Sequence, residues 1–264
     1  MSARRASEYE RFADIYGVWT ATAASARANL AFYIDTYLAA RGLVVELGVG
    51  DGRIAVEAAR RGRDIVGIDL SPAMLRLCRE RAERAGVLDR LTLLQADFRS
   101  FTLPEPAALI VLPYHSLGHL TTIDEKRDAL RHIHAQLEPG GRFIFDDFFM
   151  TPAQLEHMRQ VQLRAEYQSG DGRDLLLWVT SLVDEDAQSM RVVTWEDELE
   201  PDGALRRRRY RKLSLSWLEP AQAKQLLVDT GFTIDACFGD FSRTPFDASS
   251  AREQIWIARK GTDR

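Results

Sequence analysis

His115, Asp146 and Asp147 are the residues of this 264-residue chain whose types and placement suit proton handling. His115 follows the apolar run Ala107–Leu112, and its imidazole titrates near neutrality, the property wanted in a general base. Asp146 and Asp147 close a second apolar run, Arg142–Asp147, where a carboxylate can orient an amine or a hydroxyl. His119, His132 and His134 read as structural. A second group of residues suits ligand binding. Gly48, Gly50 and Gly52 form a GxGxG turn after Glu46-Leu47, and glycines let backbone approach a ligand at a helix N-terminus. Asp69 ends the next apolar run, 23 residues after Glu46, where an acidic side chain can accept both hydroxyls of a ribose. The dinucleotide fingerprint needs a third small residue three positions after Gly50, and that position holds Arg53. The expected ligand is therefore a nucleoside without a pyrophosphate.

The elements that must position these residues follow from the pattern of the chain. Between Gly42 and Asp147, short apolar runs alternate with helical spacing, the sequence form of βαβ units and a parallel sheet. Strands are expected at Gly42–Leu47, Asp64–Asp69, Leu91–Gln95, Ala107–Leu112 and Arg142–Asp147. Helices are expected at Arg53–Arg61, after the Ser71-Pro72 cap, and at Asp124–Leu137. The turn Pro139-Gly140-Gly141 leads into the fifth strand. Glu46, Asp69, Asp97, Pro113–His115 and Asp146 then all lie at or just past the carboxyl ends of strands, the edge where open α/β sheets bind ligands. After Asp147 the rhythm changes to Leu175–Val183, Met190–Glu198 and Leu205–Leu215, three strands with polar turns and no helices between them. The helix–strand rhythm resumes at Pro220–Thr230, Ile234–Gly239 and Gln254–Arg259.

Composition narrows the function class. Hydrophobic residues make up 45% and charged residues 28%, ordinary globular usage. Cys78 and Cys237 stand far apart and in no metal-ligating spacing, so neither a disulfide scaffold nor a metal site is expected. The net charge of −4 argues against bulk binding to nucleic acid or to an anionic membrane. No segment approaches the ~18 consecutive apolar residues of a membrane span, and the N-terminus carries no signal-like apolar core, so a cytoplasmic location is expected.

Four features taken together resemble the class I S-adenosylmethionine-dependent methyltransferases of the small-molecule type. They are ELGVGDGR at Glu46–Arg53, GIDLSPAML at Gly67–Leu75, Ala96-Asp97-Phe98, and LEPGG at Leu137–Gly141. The resemblance covers Glu46–Asp147 and extends weakly into Pro220–Arg259. It implies an α/β fold, a doubly wound, mostly parallel seven-stranded Rossmann-like sheet with an antiparallel insertion after the fifth strand. It implies S-adenosylmethionine as cofactor, S-adenosylhomocysteine as product and no metal. The Gly48, Gly50 and Gly52 backbone would face the methionine portion, with Glu46 supporting the loop. Asp69 would hold the ribose, Leu70 and Met74 would pack on adenine, and Asp97 with the Phe98 backbone would read its amino edge. Leu112 would lie near the transferable methyl, with His115 as base and Asp146 assisting. Tyr9, Phe12, Tyr16 and Trp19 would belong to a lid, Tyr16 touching the cofactor.

The expected organisation is an N-terminal helical lid over residues 1–41, a cofactor-binding domain over 42–147 and 218–264, and an insertion over 148–217 that covers a small-molecule acceptor. The run Arg206–Lys212 invites a nucleic-acid reading, but a hairpin turning at Asp202-Gly203 sets Glu198 opposite Arg207 and Glu196 opposite Arg209, giving cross-strand charge pairs. The leading expectation is methyl transfer to nitrogen or oxygen of a small molecule. The alternatives are an RNA or protein methyltransferase docking through Arg206–Arg211, and a non-catalytic cofactor-binding module. The pattern carries no signal about oligomeric state.

Overall fold

The computed structural model describes residue 8 and residues 10–262. Two sheets account for its strands. The larger has seven strands in the order β10-β11-β5-β4-β1-β2-β3: β1 (Val44–Leu47), β2 (Ile65–Asp69), β3 (Leu91–Gln95), β4 (Ala107–Leu112), β5 (Leu137–Phe148), β10 (Phe232–Phe238) and β11 (Glu253–Lys260). The β3-β2-β1-β4-β5 ladders are parallel, and β11 runs antiparallel to both of its neighbours. This is the α/β fold expected from the sequence.

The central strands are apolar throughout because both faces are covered, and the period of two divides their side chains between two cores. Val45, Leu47, Ile110 and Leu112 join one cluster with α5 (Ile123–Gln136) and α7 (Pro220–Asp229). Val44, Leu109 and Val111 join the other with α2 (Ala24–Ala39), α3 (Ala55–Arg60) and α4 (Pro72–Arg84). A short helix α1 (Tyr16–Thr22) precedes them. The order of the strands reverses at β1/β4, so the loops after those strands splay apart and leave a crevice at the carboxyl edge.

The second sheet is antiparallel, in the order β6 (Gln162–Gln168), β7 (Asp174–Asp184), β8 (Ser189–Leu199), β9 (Leu205–Ser216). Leu177, Met190, Val192, Leu213 and Leu215 from its inner face pack with Phe12, Ile15 and Trp217 in a third core. Two elements here exceed the expected three strands. A helix α6 (Pro152–Arg159) is closed by a capping box between Thr151 and Gln154 with Pro152 at its first position, a signal legible in the sequence. Strand β6 is so polar, QLRAEYQ, that its half-buried alternation is hidden. The structure also extends β5 back to Leu137, the Pro139–Gly141 turn being absorbed as an irregularity of the β4–β5 register.

Candidate active site

The glycine turn builds one wall of the site from backbone. Gly48, Gly50 and Gly52 have φ of +66°, +55° and +76°, a left-handed series that L side chains resist. A Cβ on Gly52 would sit 2.5 Å from Cys78 Sγ, and one on Gly50 would sit 3.3 Å from Tyr16 Oη. The loop is tied down from several sides. Gly50 N–H donates to Asp69 Oδ2 at 2.9 Å, Val49 N–H donates to the Ile68 carbonyl at 3.0 Å, and Asp51 forms an ion pair with Arg81 on α4. Asp69 Oδ1 accepts from Ser71 N–H at 2.8 Å, and the Ser71 hydroxyl caps α4 by accepting from Met74 N–H. Burial pushes the Asp69 carboxyl up to about 6, against the pull of the Ser71, Gly50 and Leu70 N–H groups.

Above the loop lies a narrow cleft of about 70 Å³, lined by Gly48, Gly50, Asp69, Leu70, Asp97 and Phe98 among others and roofed by Tyr16. These seven residues were singled out in the sequence, and the fold brings them to one place. Four other sequence candidates stand elsewhere. Gly52 underlies the turn against Cys78. Met74 is wholly buried and does not line the cleft, because its position on α4 turns it inward with Cys78. Leu112 points into the sheet core by strand alternation. Glu46 is buried beneath the loop, where desolvation raises it to about 8 despite Tyr37 and Arg53. Its Oε2, like Tyr37 Oη, has no hydrogen-bond partner among the described residues.

The expected acid–base pair is corrected by the structure. Asp146 is fully buried and lines neither cavity of the site. It accepts from the Tyr33 hydroxyl, from Tyr114 N–H at 2.9 Å and from His115 N–H at 3.0 Å, and so anchors the turn after β4, where Tyr114 and His115 both have positive φ. Asp147 is likewise a tether, accepting from Phe148 and Leu218 N–H groups; burial lifts it to about 6 against the opposing charges of Lys126 and His115. His115 stacks on Phe148 at 4.0 Å and its Nε2 lies 2.7 Å from Glu253 Oε2. Burial disfavours its charged form, but the pull of Glu253, Asp146 and Asp147 prevails and raises it to about 9. With its Nε2 engaged by Glu253, His115 is placed as a carboxylate's partner and not as a free general base. Glu253 comes from β11, more than a hundred residues away, and no local spacing links the two.

A second cavity of about 520 Å³ adjoins the cleft. Its walls come from the N-terminal segment (Phe12, Trp19), the turn after β4, and the inner face of the second sheet (Val179, Met190, Val192, Leu213). Tyr16, Tyr114 and His119 line both spaces, so these three side chains form the threshold between them. His119 closes the 3₁₀ turn Ser116–His119 that follows the strained Tyr114-His115 pair. Sequence reasoning passed it over in favour of His115; the available signal was that both histidines share one loop. Tyr9 lies outside the described residues.

Residues 44–141 match the family described as a methyltransferase domain. That segment is a methyltransferase domain of the S-adenosylmethionine-dependent kind. The matched segment contains the Gly48–Gly52 loop just described. The chain is similar to an uncharacterized methyltransferase of Oceanobacillus iheyensis, 34% identical over 105 residues, which are 39% of this chain and 46% of that protein. It spans about half the length of the curated relatives it matches. In structure it is similar to the CcbJ methyltransferase from Streptomyces caelestis, with a TM-score of 0.73 and 25% identity over 88% of this chain and 89% of that one. It also resembles in fold the sugar N-methyltransferase KedS8 from Streptoalloteichus, with a TM-score of 0.68 and 19% identity over 91% and 88% of the two chains.

The arginine run has found acidic partners in this methyltransferase fold. The β8–β9 register sets Glu196 opposite Arg209 and Glu198 opposite Arg207. The shortest pairs are Arg208 with its register partner Asp197 at 2.6 Å, and both Arg209 and the buried Arg211 with Asp14 of the N-terminal segment, at 2.6 and 2.5 Å; Arg206 meets the offset Glu198 at 3.4 Å. Asp14 therefore ties the N-terminal segment to β9. Among the described residues no helix is long and apolar enough to cross a membrane.

Proposed function

We propose that the chain transfers the methyl group of S-adenosylmethionine to a nitrogen or oxygen of a small molecule held in the larger cavity. The observation that carries this reading is the shared threshold: a backbone-lined cleft at the carboxyl edge opens past Tyr16, Tyr114 and His119 into an apolar chamber. The residues present suit the cofactor. The cradle at Gly48 and Gly50 leaves space that a Cβ would fill. Asp69 keeps lone pairs for hydroxyls after accepting from the Gly50 and Ser71 N–H groups among its backbone donors. Leu70 and Phe98 offer apolar surface for a base, with Asp97 beside them. When bound, the cofactor supplies an electrophilic methyl on a sulfonium.

The chain's own contribution is alignment, exclusion of water and control of one proton. Tyr16 and Tyr114 narrow the passage, so an acceptor atom must approach along one line, and such alignment can supply much of a displacement's acceleration. The segment carrying Phe12, Tyr16 and Trp19 serves as a lid, with the second sheet as acceptor cover. His119 replaces His115 as the residue that receives or orients the acceptor proton, because it faces both spaces. The acidic partners of Arg206, Arg208, Arg209 and Arg211 favour a small-molecule acceptor over an RNA-docking strip.

Titration calorimetry with S-adenosylmethionine and S-adenosylhomocysteine tests the cofactor assignment, both binding with micromolar affinity. Incubating the protein and cofactor with fractionated metabolite extracts then tests the activity, the expected product being heavier by one CH2. Absence of cofactor binding overturns the reading.

A further inference from the structure

We propose that the larger cavity contains an anion-binding subsite centred on Arg164, and that the acceptor joins an apolar body to a carboxylate or phosphate. The proposal deepens the methyltransferase reading and rests on it.

Arg164 lines the cavity and differs from the other arginines of the second sheet, of which Arg191 and Arg207 are exposed to solvent and the rest carry acidic partners. Arg173, Arg206, Arg208, Arg209 and Arg211 each have a carboxylate within 4 Å, whereas among the described residues Arg164 forms no ion pair with any Asp or Glu. Its guanidinium lies over the Trp19 ring at 4.8 Å, and one terminal nitrogen makes a long contact of 3.4 Å to the Trp19 carbonyl. Its Nε is shut away from solvent without an acceptor. A half-buried cation left unpaired is a standing cost to the folded state, which an incoming anion would relieve.

The backbone shows how the side chain comes to be there. The β6–β7 register pairs Leu163 with Trp178 and Ala165 with Leu177, so Arg164 is the extra residue of a β-bulge. Bulges re-aim a side chain out of the alternation of its strand. The stack on Trp19 then holds the guanidinium in place, reducing the entropy lost when a ligand binds.

The rest of the lining agrees in charge. Among the described residues no Asp or Glu lines the cavity; the polar groups nearest in kind to Arg164 are histidines, tyrosines and amides such as His119, His157, Tyr114, Gln154 and Gln162. His115 Nε2 is already engaged by Glu253 Oε2 at 2.7 Å. The chamber thus offers one uncommitted permanent positive charge, with apolar walls of Trp19, Val179, Met190 and Leu213 around it. A planar guanidinium suits the paired oxygens of a carboxylate or phosphate. An acceptor amine in the same positive field also loses its proton more readily, which methyl transfer to nitrogen requires.

The test uses three probes with one apolar body, naphthylacetate, naphthyl phosphate and the uncharged naphthylacetamide, titrated calorimetrically into the full chain saturated with S-adenosylhomocysteine. Wild-type protein is expected to bind at least one anion about ten-fold more tightly than the amide, as a charge-assisted hydrogen bond implies. The preferred anion separates the carboxylate from the phosphate source. Arg164→Gln should abolish the preference while leaving the amide's affinity, and Arg164→Lys should retain part of it. Equal affinity for acid and amide, a preference that survives Arg164→Gln, or no binding of any probe overturns the proposal. Binding of S-adenosylhomocysteine is measured on the same samples. Its failure overturns the methyltransferase reading, whereas intact cofactor binding without anion preference overturns only the subsite.

Discussion

The two spaces that meet at Tyr114 are built in opposite ways. One wall of the cofactor cleft is backbone: a left-handed glycine series, N–H groups fixed by Asp69, and a helix cap at Ser71, all drawn from about 30 consecutive residues. The larger cavity is assembled from side chains of the N-terminal segment, the turn after β4, α6 and four antiparallel strands. Backbone geometry tolerates few substitutions and binds what every family member must bind. A chamber walled by interchangeable apolar side chains can change its contents without disturbing the sheet beneath, which is how one fold serves many acceptors.

If the contrast is sound, the severest damage comes from altering the backbone wall. Gly52→Val forces a β-branched residue into positive φ against Cys78, and a destabilisation of about 4 kcal/mol is expected in urea denaturation; an unchanged midpoint would remove the rigidity assigned to the loop. Next stands the ion pair beneath the threshold. His115, held at about 9 by Glu253, Asp146 and Asp147 despite burial, lies above the ordinary 6.5 of an unfolded histidine. Its contribution to stability is therefore complete below about pH 6.5 and declines as the pH rises through 9. Glu253→Gln should lose about 3 kcal/mol at pH 6 and progressively less towards pH 10, and a loss independent of pH would refute the pairing.

The threshold itself is tested by His119→Asn, expected to lower kcat about a hundred-fold with cofactor affinity unchanged; full activity would leave alignment alone as the catalytic device. Asp69→Ala should weaken S-adenosylhomocysteine about ten-fold by freeing the Gly50 and Ser71 N–H groups, and calorimetry giving wild-type affinity would take the residue out of the site. The mildest change is Met74→Leu. A buried residue off the cleft should cost less than about 1.5 kcal/mol in stability and nothing in cofactor affinity, whereas weakened binding would return Met74 to the adenine wall.

Legibility in the sequence followed the same division. The alternation of Val44–Leu47, Ile65–Asp69 and Ala107–Leu112 with helical spacing disclosed the parallel sheet, since strands buried on both faces must be apolar at every position. Gly48, Gly50, Asp69 and Asp97 were legible because turn and capping chemistry act within a few residues. His115 and Asp146 were misread: carboxyl-edge position was visible, but burial and partners were not. Nothing local shows that Glu253 reaches His115, that three hydrogen bonds occupy Asp146, or that a bulge turns Arg164 into the chamber.

The sequence by itself thus determined the sheet, the cofactor loop and the cross-strand register of the arginine ribbon, because periodicity, glycine conformational freedom and hairpin pairing are short-range. Only the tertiary structure decided which histidines and which arginine line the larger cavity. Protonation and pairing depend on burial and on charges brought in from distant strands, and those exist only once the two sheets and the N-terminal segment have packed together.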